Sequence, residues 1–155
     1  MTLSCVIALL LLEAPQASDS QQARVYAAIL DGQTGTDTIL LVDSSYVSTL
    51  RPGGVAPLPH RIPTRRPIRF VSLAEVRDSL TVGAPGTYWQ RFRQRFPGSR
   101  GWYALSPIRF ENEGRTAIVY YEWHCGFLCG EGGALTLTLD GTTWRVTDKR
   151  RSWVN

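Results

Sequence analysis

The order of patterns along the sequence predicts an α+β domain, with N-terminal helices packed on one face of a C-terminal antiparallel sheet of about four to five strands. Two observations carry this expectation. The segments with apolar residues at helical spacing all fall in the first two thirds of the chain, and strand-like runs separated by short turns fill the last third. Helices followed by strands segregate into an α+β architecture. The 155 residues are enough for one core, because domains usually run to about 100–150 residues. With 43% hydrophobic and 19% charged residues, the composition excludes a disordered or fibrous chain.

Residues 3–12 form an apolar run, followed by Glu13, Pro15, Ala17 and Ser18. This has the length of a secretory h-region and is shorter than the ~20 residues a membrane-spanning helix needs. The expectation is a signal segment ending near residue 18, a mature domain over 19–155, an exported (periplasmic or extracellular) location and no transmembrane span. Removing that segment removes Cys5 and leaves Cys125 and Cys129. An even count in an oxidising compartment predicts one disulfide.

Ser18 to Gln21 has the form of a capping box, and Ala23, Tyr26, Ala27 and Leu30 recur at helical spacing, which predicts a first helix to about Leu30. Residues 38–42, Thr-Ile-Leu-Leu-Val, read as a short buried strand. Five prolines between Pro52 and Pro67 remove backbone donors and predict a long loop over 44–67. Ser72-Leu73-Ala74-Glu75 is a second capping box, with Leu73, Val76 and Leu80 on one face. A third helix is expected after Pro85-Gly86, capped by Thr87, with Trp89, Phe92 and Phe96 as a core stripe. A meander follows: one strand over 102–110, a turn at Asn112-Glu113-Gly114, strands over 116–124 and 134–139, a hairpin turn at Asp140-Gly141 and a last strand over 142–147. Leu135, Leu137 and Leu139 alternate with Thr136 and Thr138, so one sheet face is buried and the other can stay wet.

The string Ser106 to Phe110, Ala117 to Tyr121, Cys125-Gly126-Phe127-Leu128-Cys129-Gly130, Gly132, Gly141, Trp144 and Trp153 resembles a group of small exported bacterial proteins of unknown function. The resemblance implies an exported address and no particular activity. The end Gly141-Thr142-Thr143-Trp144-Arg145-Val146 is similar to that of nuclear-transport-factor-2-like cone folds, which carry pockets of many functions.

The most distinctive local feature is Trp123-His124-Cys125-Gly126-Phe127-Leu128-Cys129-Gly130. Three residues between the cysteines are one more than a redox Cys-x-x-Cys motif uses. A zinc site would need a fourth ligand, His60 or Glu131, besides His124, Cys125 and Cys129, and no metal is expected. His124 and Cys125 are consecutive on a strand and point to opposite faces, which disfavours a catalytic pair. A structural disulfide remains. Between its cysteines, Phe127 and Leu128 either tuck over the sheet edge, the preferred expectation, or form an apolar knob that serves for recognition. Glu122 and His124 lie two apart on one strand and share a face, so they form either a hydrogen-bonded pair or an acid/base pair.

The net charge of +4 rises to +5 once Glu13 is removed, and sixteen of the seventeen basic residues are arginine. Arginine dominance of this kind follows genome composition, so nucleic-acid binding is not expected. Arg61, Arg65, Arg66 and Arg69 form a basic stretch able to attract anionic envelope material through its summed field. The chain has no phosphate-binding glycine loop, paired-histidine metal motif or strand-elbow serine, and no cofactor is implied. Three functions stay open: an exported, non-enzymatic binding or structural module contacting a protein through the disulfide loop, a ligand-binding or hydrolase-like cone using Glu122 and His124, and a peripheral binder of anionic envelope material.

Overall fold

The computed structural model of the protein describes residues 18–33, 37–44, 56–81 and 87–155. The apolar run at 3–12, Cys5, residues 45–55 of the proline-rich segment and Pro85-Gly86 lie outside the described residues, as does the Leu80 side chain. Helix α1 is Asp19–Asp31; β1 is Ile39–Val42 and β2 is Ile68–Val71; α2 is Leu73–Thr81 and α3 is Tyr88–Arg95; β3 to β7 are Trp102–Leu105, Arg109–Glu111, Thr116–Gly126, Cys129–Asp140 and Thr143–Val154. The fold is α+β, as the sequence predicts.

Local chemistry sets the helix starts. The Ser18 side chain accepts a hydrogen bond from the Gln21 backbone N–H at the head of α1. At the head of α2 the box is reciprocal: Ser72 Oγ accepts from the Glu75 N–H at 3.1 Å, and the Glu75 carboxylate accepts from the Ser72 N–H at 2.9 Å. These bonds satisfy donors that a helix start leaves open, and the one from the Ser72 N–H to the Glu75 carboxylate is the leading cause holding that carboxyl below its ordinary pKa. Thr87 occupies the N-cap position of α3, but its side chain makes no capping hydrogen bond.

The seven strands form one mixed sheet in the order β2-β1-β3-β5-β6-β7, with β4 also paired to β5. This corrects the antiparallel expectation of four to five strands. β1 runs parallel to both β2 and β3, while every other pairing is antiparallel. β2 was hidden in the sequence because Pro67 and Arg69 give it the texture of the preceding loop.

The helices cover both faces, which corrects the one-face expectation. Ile39 and Leu41 join α1 residues Val25, Tyr26, Ile29 and Leu30 in one core cluster. Leu40 and Val42 join Val76, Phe92 and Phe96 in the other. The all-apolar composition of β1 follows from this, since a strand buried on both faces has no polar side to present. Phe92 and Phe96 pack ring to ring at 5.1 Å, as a core stripe should.

The expected strand over 102–110 is two strands. Leu105 pairs with Tyr121 and Arg109 with Ile118, so four steps on one side match three on the other, and the extra residue makes a bulge around Pro107. Here Tyr26 Oη donates to the Ser106 carbonyl at 3.0 Å, tying α1 to the sheet, and burial pushes the Tyr26 phenol pKa well up. The two expected turns form where the sequence places them, with Asn112, Glu113 and Gly114 at φ of 51°, 56° and 79°, and Gly141 at 57°.

Candidate functional site: the hairpin tip and the adjoining face

Strands β5 and β6 run side by side to a closed end. Their last pair is Gly126 with Cys129, and the register shifts between His124 and Gly126, so Cys125 is an extra residue on β5. Cys125 and Cys129 are joined as a disulfide with their Cα atoms 5.1 Å apart, inside the ~7 Å limit such a bond allows. The staple expected from the cysteine count is therefore present. Phe127 and Leu128 form the turn between the cysteines and are 73% and 80% exposed. They do not tuck over the sheet edge: a two-residue turn at the end of a long ladder projects beyond the sheet and has no core beneath it.

Glu122 and His124 share one face of β5, as the two-residue spacing requires. His124 stands opposite Trp102 on β3 and Gly130 on β6, and Glu122 stands opposite Ala104 and Gly132. The imidazole stacks on the Trp102 ring at 4.1 Å and 14°, and approaches the Trp153 ring at 5.3 Å and 40°. Its Nε2 lies 3.2 Å from Oε2 of Glu122, whose residue is only 9% exposed. The two side chains thus form a hydrogen-bonded pair held beside aromatic rings. Beside them opens a shallow cleft of about 270 Å³ lined by Glu122, His124, Trp153 and Asn155.

Trp153 comes from β7, opposite Gly132. A Cβ at Gly132 would stand 2.5 Å from Cε2 of its indole, and a Cβ at Gly130 would stand 3.1 Å from Cζ3. The two glycines leave the space this ring fills. The Asn155 N–H donates to the Gly130 carbonyl at 3.0 Å, anchoring the chain just past β7. Trp102, on β3, and Trp153 and Asn155, at and just past the end of β7, escape a reading of local sequence because they lie far along the chain from Glu122 and His124. The usable signal is the glycine pair at 130 and 132, two residues apart on one strand, which marks room for a ring.

The opposite face of the same strands carries a charged group. Glu131 pairs with Lys149, and with Arg151 at 2.9 Å. The Lys149 ammonium lies 5.1 Å from the centre of the Tyr121 ring. Burial pushes the Glu131 carboxyl up, but Lys149 and Arg151 outweigh it and hold the group below its ordinary pKa. Burial likewise pushes Lys149 down, and its bond to Glu131 reverses the direction, leaving it raised. Neighbouring Tyr103, stacked on Trp123 at 6.0 Å, is pushed up to about 12 by burial.

The basic stretch does not form one face. Arg65 pairs with Asp31 at 3.6 Å, and Arg66 donates to the carbonyls of Asp37 and Gln33. Arg69, on β2, lies over the Phe96 ring at 5.1 Å, and Arg61 is exposed. Arg61, Arg66 and His60 do line a wide, open hollow of about 940 Å³ beside the start of α1, with Ile62, Ile68 and Phe70. Among the described residues no three His, Cys, Asp or Glu side chains are placed to hold a metal ion. Nor, among them, is any helix long and apolar enough to cross a membrane. No family model, no curated protein and no solved structure matches this chain.

Proposed function

We propose that the chain is an exported binding module whose contact surface is the disulfide-closed tip of the β5–β6 hairpin, and that its partner is a protein. The observation that carries this is the exposure of Phe127 and Leu128 at 73% and 80% within a turn whose two flanking cysteines are bonded. An apolar pair left in water on a constrained turn loses little conformational freedom on docking, so most of its burial energy is available to the complex. Val154, at the end of the neighbouring strand β7, is exposed as well. The disulfide supports export, because such bonds persist in oxidising compartments, and the apolar run at 3–12 supplies the signal.

A photoreactive amino acid at position 128 tests the contact in cells. One discrete protein adduct is expected, lost when Phe127 becomes serine and kept when an exposed residue away from the tip, such as Arg115, becomes serine. Absence of any adduct, or one indifferent to Phe127, overturns the reading. N-terminal sequencing of protein recovered from the cell envelope tests export, with a start near residue 19 expected and an intact Met1 on folded protein contradicting it.

A further inference from the structure

We infer that the cleft formed by Glu122, His124, Trp153 and Asn155 is a binding site for a single neutral sugar ring. The inference does not depend on the protein contact proposed for the tip.

The cleft combines two kinds of surface in a small space of about 270 Å³. One is the indole of Trp153, set in place by Gly130 and Gly132 behind it and by the pairing of β7 with β6. The other is polar: the Glu122 carboxylate, the His124 imidazole and Asn155. A pyranose has the matching dual character, with C–H faces that pack on an aromatic ring and hydroxyls that need both donors and acceptors at fixed angles. A carboxylate accepts up to about four hydrogen bonds, and an imidazole or a side-chain amide presents donors and acceptors. The contact from His124 at 3.2 Å orients the Glu122 carboxylate at the wall of the cleft.

Other ligand classes fit less well. An anion would meet the Glu122 carboxylate. A wholly apolar group would cover the polar atoms of Glu122 and His124 and offer them no hydrogen bond, at a cost for each. An organic cation is held best by several free aromatic faces, but the Trp102 ring is already stacked on His124 at 4.1 Å, which leaves the Trp153 indole to line the cleft. A neutral, hydroxyl-rich ring satisfies the carboxylate, the imidazole, the amide and the indole together.

Titration of the 15N-labelled domain with glucose, galactose and N-acetylglucosamine, each added separately, tests the inference by NMR. Saturable shifts are expected for the Trp153 indole N–H, the His124 ring and the backbone N–H groups of Gly130 and Gly132 with at least one sugar. Glu122→Gln keeps the shape of the side chain and should weaken that sugar at least about tenfold, the loss expected for one charge-assisted hydrogen bond. Trp153→Phe should weaken it too, and its β5–β6 amide spectrum reports whether the strands remain paired. Arg115→Ser, at an exposed position away from both the cleft and the tip, should leave sugar binding unchanged. Failure of all three sugars to shift these resonances up to their solubility limit overturns the inference, as does a response to tetramethylammonium alone.

Discussion

The indole of Trp153 takes the space that a side chain at Gly132 would need, since a Cβ there would come within 2.8 Å of Cζ2 and 2.5 Å of Cε2. Gly132→Ala should therefore destabilise the domain by about 1–3 kcal/mol, the usual cost of overpacking. In a Trp153→Ala background the same substitution should cost little, giving a coupling of about 0.5–3 kcal/mol in a double-mutant cycle followed by urea unfolding. Equal costs in the two backgrounds would show that the ring does not fill that space. Gly101 provides the contrast: a Cβ there would press on the His124 carbonyl and lie 2.9 Å from the Cys125 Cα. Backbone cannot swing away as a ring can, so Gly101→Ala should be the more damaging change and no single side-chain truncation should rescue it.

Replacing Cys125 and Cys129 together by serine should leave the domain folded. Closing so short a loop contributes about 2 kcal/mol by the chain-entropy relation, and the β5–β6 ladder below the tip continues from His124 paired with Gly130 down to Thr116 paired with Thr138. A lower thermal midpoint with an unchanged far-ultraviolet spectrum is expected, together with faster proteolysis between Trp123 and Ala134. Thiol titration of the denatured, unreduced mature wild-type protein should find no free thiol. Two free thiols would contradict the disulfide.

Glu131 and Lys149 set a pH dependence at both extremes. The folded-state pKa of Glu131 lies below its ordinary 4.5, so its stabilising contribution is complete above that value and fades as pH falls through the depressed one. Lys149 lies above its ordinary 10.5, so its contribution is complete below that value and fades as pH rises through the raised one. Glu131→Gln should cost about 1–2 kcal/mol at neutral pH, allowing for solvent screening of the partly exposed partners, and should flatten the acid limb of the stability curve. An unchanged acid limb would remove Glu131 from the account.

The tip should matter for binding and not for folding. Because Phe127 and Leu128 are so exposed, changing both to serine should alter stability by no more than about 0.5 kcal/mol. Thermal unfolding checks this, and hydrophobic-dye binding to the folded protein should fall. A large loss of stability would mean that the two side chains finish a core.

Sequence chemistry alone determined the features that depend on neighbours along the chain. The N-cap at Ser18, whose expected capping box is only half formed because the Gln21 side chain donates instead to the Gly114 carbonyl, the capping box at Ser72, the turns at Asn112-Glu113-Gly114 and Asp140-Gly141, and the alternation of Leu135, Leu137 and Leu139 with threonines are signalled by residues close together in the chain, and so each is legible there. The shared face of Glu122 and His124 follows likewise from the strand period. Only the tertiary structure decided what depends on partners distant in sequence: the parallel placement of β1 between β2 and β3, the covering of β1 on both faces, and the extension of β7 to Val154, with Trp153 set against glycines some twenty residues earlier. An all-apolar strand announces that it is buried but not what buries it, because the hydrophobic effect is non-directional. A pair of glycines announces that something must approach closely, and only the pairing of β6 with β7 names it as Trp153.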